Sequence, residues 1–261
     1  MRELTLILNT AEKRVQFALC ENGSMLCGED WLAQRGGTEV LAPALRDACA
    51  RLGATPAAIR RIACVAGPGN FTGLRIGLTT TAGLARAVNA KQAGLHYLQC
   101  LAANAPASPG EEVLVLTNAR KGLAYGARFR ADDQGAPQPE GRTFLLPLPP
   151  LPEGTNLGNP NFVIGSALVS NLACLRAALP ASARLLCRDS APSLASLVAV
   201  ERLIDWETQD GSDIPPLYMR DCDAVENLDA IAKAQGRTPE LAHQELDRLT
   251  HAPLAEHEIA K

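Results

Sequence analysis

Over the first thirty residues, apolar positions come in short runs and alternations rather than in helical stripes. Leu4-Thr5-Leu6-Ile7-Leu8 is apolar on both parities, as suits a strand buried on both faces. Asn9-Thr10-Ala11-Glu12 reads as a turn, and Val15, Phe17 and Leu19 alternate as a second strand. Asn22-Gly23 is a hairpin signal leading into a third strand from Met25 to Trp31. The period then changes. Val40, Leu41, Ala44, Leu45, Ala48, Cys49 and Leu52 predict a helix over 38–52, with an apolar band wider than one sheet face requires. A strand over 62–65, a helix over 74–89 and a last strand over 95–98 complete a β-β-β-α-β-α-β order.

The pattern then starts again. Val113 to Thr117 is another buried strand, and placing Asn118 over Asn9 superposes the turn Ala119-Arg120-Lys121-Gly122 on the first turn. Strand 123–129 falls over the second strand. A strand over 162–164, a helix over 168–178, a strand over 184–187 and a helix over 193–204 follow. Duplication of one α/β unit explains this, with chance similarity between two hairpins as the alternative. Residues 132–161 hold seven Pro and four Gly, which predicts a loop, because Pro neither donates to a ladder nor continues a helix. Thr238-Pro239-Glu240 supplies an N-cap, a first-turn Pro and an acid for a short helix through Leu249. The predicted organisation is a first lobe over 1–106, a second over 107–220 and an appended tail over 221–261.

Charge sharpens that division. The 261 residues carry a net −3. Residues 1–220 hold 21 basic and 19 acidic side chains, and 221–261 hold 4 and 9, so the negative balance lives in the tail. Such a body has no field strong enough to predict nucleic-acid binding over its whole surface. No apolar run reaches the roughly 20 residues that span a bilayer, and the N-terminus lacks the order of a signal peptide, so a cytoplasmic setting is expected. Eight Cys without a Cys-x-x-Cys pair read as reduced, mostly buried residues. Three of four His lie beyond residue 242, none in a His-x-x-x-His pair. No metal site and no cofactor are expected from these spacings.

One segment carries specific chemistry. Gly67-Pro68-Gly69-Asn70-Phe71-Thr72-Gly73-Leu74-Arg75-Ile76-Gly77 follows a buried strand and opens a helix. A Walker phosphate loop needs a Gly-Lys-Ser/Thr ending that is absent. A Rossmann turn needs a different glycine spacing and an acid about twenty residues on, whereas none occurs between Asp47 and Glu111. What remains is a tight turn whose N–H groups could face an anion or a partner. In the helix, Gly73, Gly77, Thr81 and Ala85 recur every four residues. Helical Gly costs about 1 kcal/mol relative to Ala, so close approach by another backbone is expected. That backbone belongs either to the chain's own sheet or to another molecule.

The eleven-residue segment closely resembles the Gly-Pro-Gly-Ser-Phe-Thr-Gly-Leu-Arg-Ile-Gly signature of the TsaB (YeaZ) family. Leu6-Ile7-Leu8-Asn9-Thr10, Leu41-Ala42-Pro43, Thr117 to Gly122 and Pro216-Leu217-Tyr218-Met219-Arg220 resemble four further family segments. The resemblance implies a two-lobed actin-like (ribonuclease-H-like) fold. It implies a non-catalytic role in making threonylcarbamoyladenosine on tRNA, beside the catalytic paralogue TsaD and the ATPase TsaE, with tRNA reached through that complex. It also implies a pairing surface on helices 38–52 and 74–89, used for a homodimer when the chain is alone. Gly73, Gly77, Thr81 and Ala85, with Leu41, Pro43, Ala44 and Leu45, are the expected contacts. Arg75 would pair with a partner carboxylate or phosphate, or stand as an ordinary exposed residue. Asn9 and Asn118 occupy places where actin-like kinases need carboxylates, and an amide lacks the charge a hard cation requires. Asn70 replaces the signature's Ser, and Gly37 stands where many relatives have His. The alternatives from other classes are a glycoprotease-like peptidase and an actin-like small-molecule kinase.

Overall fold

The computed structural model describes residues 2–32, 37–219 and 228–251. A five-stranded sheet is built from β1 (Leu4–Asn9), β2 (Arg14–Glu21), β3 (Ser24–Leu32), β4 (Ile59–Gly67) and β5 (Lys91–His96), in the order β3-β2-β1-β4-β5. The β1/β2 and β2/β3 pairs are antiparallel, and β1/β4 and β4/β5 are parallel. Leu4, Leu6 and Leu8 share one face with Phe17, Leu19, Ile62 and Cys64. Two helices cover it, α1 (Gly37–Arg51) with Leu41, Leu45, Ala48 and Cys49, and α2 (Phe71–Val88) with Ala85. Each large apolar side chain buried here contributes about 1.5–3 kcal/mol. The opposite face meets α3 (Tyr97–Ala102) and α6 (Leu194–Glu201), which contact each other.

The second sheet comprises β6 (Glu112–Arg120), β7 (Leu123–Ala131), β8 (Pro137–Pro139), β9 (Phe144–Pro147), β10 (Phe162–Ile164) and β11 (Arg184–Leu186). Its order is β11-β10-β6-β7-β8, with β9 also on β7. The β6/β7 pair is antiparallel and β6/β10 and β10/β11 are parallel. Strand for strand this repeats the first sheet, and the buried α3 after β5 has its counterpart in α6 after β11. The duplicated, two-lobed actin-like architecture expected from the sequence is therefore present. The helix after β10 is split at Asn171 into α4 (Ser166–Ser170) and α5 (Leu172–Ala178), which pack with Leu114, Leu116 and Val163 in a second core.

Two expectations need correction. Residues 95–98 are not one strand. β5 ends at His96, whose side chain caps α3, and Tyr97 and Leu98 are helical and buried. Periodicity cannot tell a short apolar run in a strand from one in a buried helix. Stretch 132–161 is not a plain loop either. It lays β8 and β9 along β7, where Pro139 faces Phe129 and Pro147 faces Leu123. An outer strand accommodates Pro because one of its hydrogen-bonding edges needs no partner.

Residues Met1–Tyr218 form one compact unit and Met219–Lys261 another. Described by itself, the second contains α7 (Leu228–Ala234) and α8 (Pro239–His251). His243 Nε2 lies 2.8 Å from Asp229 Oδ1 and Arg237 donates to Glu245. The helix starting beside Thr238-Pro239 was foreseen, and α7 was not.

Candidate functional site

Three segments meet where β4 runs into α2. Asn70 caps the helix, its Oδ1 accepting from Gly73 N at 3.0 Å. Asn and Ser rank alike as N-caps, so the departure from the signature's Ser preserves its chemistry. Asn70 N donates to Ala11 O at 2.5 Å. Thr10 Oγ1 donates to Gly73 O at 2.7 Å, binding the β1–β2 turn to the first turn of α2. From the end of the first unit, Leu217 N donates to Ala66 O at 2.8 Å. Gly67 has φ +127°, and a Cβ there would lie 2.7 Å from Leu217 O.

The glycines of the segment therefore admit the chain's own backbone. A Cβ on Gly73 would run into Thr10 O, and one on Gly77 into Thr10 Oγ1 and, at 3.2 Å, Cys64 Sγ. Gly77, Thr81 and Ala85 are buried against the sheet. This corrects their assignment as partner contacts: they are internal packing. Leu41 and Leu45 likewise lie in the core and Ala44 packs against it, leaving Pro43 exposed among the four residues assigned on α1. Amphipathic spacing identified both helices but not which stripe faces the sheet.

The opposite faces are exposed. Thr72, Arg75, Thr79, Gly83 and Arg86 are exposed along α2, Arg86 reaching Asp213 at 2.6 Å, and among the described residues nothing beyond the helix's own backbone lies within 4 Å of a Cβ built on Gly83. Val40 is 47% exposed on α1. The Arg75 guanidinium lies 3.9 Å from the centroid of Phe71, which stacks on Tyr218 at 4.9 Å. Arg75 is therefore placed by a ring, Gly69 by its close approach to Ala11 and Phe71 by Tyr218.

Asn9 is 1% exposed. It donates through Nδ2 to Gln16 Oε1 at 2.7 Å and accepts from Ala11 N at 3.0 Å, and Gln16 in turn donates to Asp30 and Pro192 O. The amide is consumed in a buried network. Asn118 is exposed, its N donating to Ser166 Oγ at 2.9 Å and its Nδ2 to Ser170 Oγ at 3.2 Å. Among the described residues no three of His, Cys, Asp and Glu gather in metal-binding geometry.

Sequence reasoning missed Glu12. It leaves the first-lobe turn and accepts from Ser166 Oγ, at the start of α4 in the second lobe, at 3.1 Å. Burial pushes its carboxyl up to about 7, against the pull of Ser166, Tyr97 and Lys13, which favour the charged form. An acid three residues after Asn9, in a turn that the repeat superposes on a second-lobe turn, was the available signal.

A family model described as TsaD, tRNA N6-adenosine threonylcarbamoyltransferase, matches residues 31–142. The chain is 30% identical over 131 residues to the tRNA threonylcarbamoyladenosine biosynthesis protein TsaB of Escherichia coli K12. That match covers 50% of this chain and 56% of the relative, so it spans little more than half of the relative's length. Two solved Pseudomonas aeruginosa structures superpose on most of the chain. One is an uncharacterised protein with similarity to peptidase YeaZ, at TM-score 0.69, 24% identity and 84% coverage of this chain. The other is YeaZ, at TM-score 0.67, 24% identity and 83% coverage. Both are covered over 100% of their own length. The two superpositions show that the chain shares the fold of these structures.

Two outcomes test this description. Gly77→Leu forces a side chain into Thr10 and Cys64, and overpacking of that kind costs about 1–3 kcal/mol or more; a lowered midpoint in urea denaturation checks it. Glu12 has its folded pKa raised from 4.5 to about 7. Its contribution to stability is therefore full below pH 4.5 and lost as pH rises through about 7. Glu12→Gln should remove that slope and stabilise the protein at pH 8 by on the order of 2 kcal/mol, as read by unfolding free energy across pH 5–8.

Proposed function

We propose that this TsaB-type chain acts in tRNA threonylcarbamoyladenosine biosynthesis as a non-catalytic subunit that pairs with a TsaD-type transferase. TsaE joins through the same assembly, tRNA is reached through it, and the setting is cytoplasmic. The observation that carries the proposal is the exposed outer face of α2, with Gly83 at its middle. Gly83 costs its helix about 1 kcal/mol relative to Ala, yet among the described residues no atom beyond its own stretch of helix lies within 4 Å of a Cβ there. Close approach there serves another molecule. Thr72, Arg75 and Thr79 on the same face, with Val40 and Pro43 exposed on α1, complete the proposed surface. The same face would make the homodimer of the isolated chain.

The site chemistry supports pairing over independent catalysis. Both positions that would hold a hard cation in an actin-like kinase carry amides, and Asn9 is committed to Gln16. A peptidase would need a base beside a nucleophile. His96 Nε2 lies 3.1 Å from Thr143 Oγ1, but its Nδ1 accepts from Gln99 N, so the proton sits on Nε2 and points at the hydroxyl. That polarity cannot take a proton from Thr143. Burial also lowers the His96 pKa to about 4.

Gly83→Leu gives the deciding test. It should raise the unfolding midpoint slightly, since Leu is the better helix former, while abolishing co-purification with TsaD and the homodimer in sedimentation. Full retention of TsaD by this variant would overturn the surface. A second check is a complementation assay: a strain lacking its own TsaB should recover threonylcarbamoyladenosine in bulk tRNA with the wild-type chain and not with Gly83→Leu.

A further inference from the structure

A relay of hydrogen bonds joins the β1–β2 turn to the turn after β6 and the start of α4. Ser166 Oγ donates to Glu12 Oε1 at 3.1 Å and accepts from Asn118 N at 2.9 Å. Asn118 Nδ2 donates to Ser170 Oγ at 3.2 Å, and Ser170 Oγ donates to Ser166 O at 3.1 Å. Of these four residues, Glu12 is the one that titrates.

The segment held by the relay is weak by itself. α4 has five residues, and Gly165 at its N-cap supplies no side-chain bond. A single turn of helix does not persist without outside contacts. α4 has two sets of them: Ala167 and Leu168 in the second core, and Ser166 and Ser170 in the relay.

The site accommodates a neutral Glu12 better than an ionised one. Burial is the largest influence on the carboxyl and raises its pKa to about 7. Ser166 from α4, Tyr97 from α3 and Lys13 from its own turn favour the charged form and are outweighed. Tyr97 in turn faces Cys100 and Arg14. Glu12 keeps part of its surface in solvent and Lys13 is exposed, so a carboxylate has a route outward to water. Other bonds between the lobes run from Gln16 to Pro192 O, Gln99 to Pro137 O and Asn104 to Ala191 O. These amides do not titrate, and the lobes stay joined whatever the state of Glu12.

We propose that the Glu12–Ser166 contact is a proton-operated latch: the neutral carboxyl keeps the relay closed, and the ionised one swings into solvent and frees Ser166, Asn118 and the first turn of α4. The latch is closed in mildly acidic solution and opens as pH rises through about 7. It is independent of the proposed partner role, and each can fail without the other.

Amide hydrogen exchange of the full chain, followed by NMR and corrected for the intrinsic effect of pH, reads the latch at Asn118, whose N–H the relay holds. Between pH 5.5 and pH 8 the corrected rate should rise by about tenfold or more. It should depend little on urea below the unfolding transition, because a local opening exposes little surface. Glu12→Gln, which keeps an acceptor for Ser166 but cannot ionise, should abolish the rise. A flat corrected rate at Asn118 in the wild-type chain would overturn the proposal. So would a urea dependence as steep as that of the Ile62 amide in β4, which marks global unfolding, or an equal rise in Glu12→Gln. The first two outcomes need no variant, so the test stands even if Glu12→Gln fails to fold.

Discussion

The clamp between the β1–β2 turn and the first turn of α2 is the contact on which the first lobe depends. Thr10 and Ala11 belong to the turn that follows the central strand, and Asn70 and Gly73 open the helix that follows the next strand over. Two hydrogen bonds join them, Thr10 Oγ1 to Gly73 O and Asn70 N to Ala11 O. Backbones this close leave no space for Cβ atoms, so the glycines at 69, 73 and 77 follow from the clamp. Once α2 is seated, Leu78, Leu84 and Val88 reach the same core as Leu41 and Leu45 of α1. The outer faces of both helices are then set by default, turned to solvent by what the inner faces need.

The second lobe uses the same scheme with less material. Gly165, at φ +121°, brings the start of α4 against Leu116 O much as Gly67 and Gly69 bring their loop against its neighbours. Ser166 then stands where it reaches both Asn118 N and Glu12. Glu12 thus joins the two turns that the internal repeat superposes. A carboxyl placed there is buried by the approach of the other lobe, and burial of a charge raises its pKa unless it is paired. The raised pKa therefore follows from closure of the two lobes around a short acidic turn.

Much of this was legible in the residues. The strands β1, β2, β3, β6 and β7 announce themselves because each has one unambiguous run or alternation, and the offset between Asn9 and Asn118 exposes the repeat. The failures share a physical cause. Tyr97-Leu98 and the Pro-rich stretch were misassigned because burial and edge position, rather than local propensity, decide their structure. Leu41, Leu45, Gly77 and Thr81 were given to a partner because spacing defines a stripe without saying what lies beneath it. Glu12 was invisible as a site because its significance comes from Ser166, 154 residues away.

Two kinds of helical glycine are separated by this structure, and the proposed partner surface rests on the distinction. Gly73 and Gly77 are required by atoms of the same chain, so their cost is offset within the fold by the bonds of the clamp. Gly83 has no such compensation among the described residues, none of which lies within 4 Å of a Cβ there beyond its own stretch of helix. A helix of 18 residues carrying an uncompensated glycine on its solvent side is less stable alone than the same helix with Ala there. A surface that accepts such a loss gains from it when a second backbone comes closer than a Cβ would permit. The inner stripe therefore builds the helix into its sheet, and the outer one is where the proposed partner would approach.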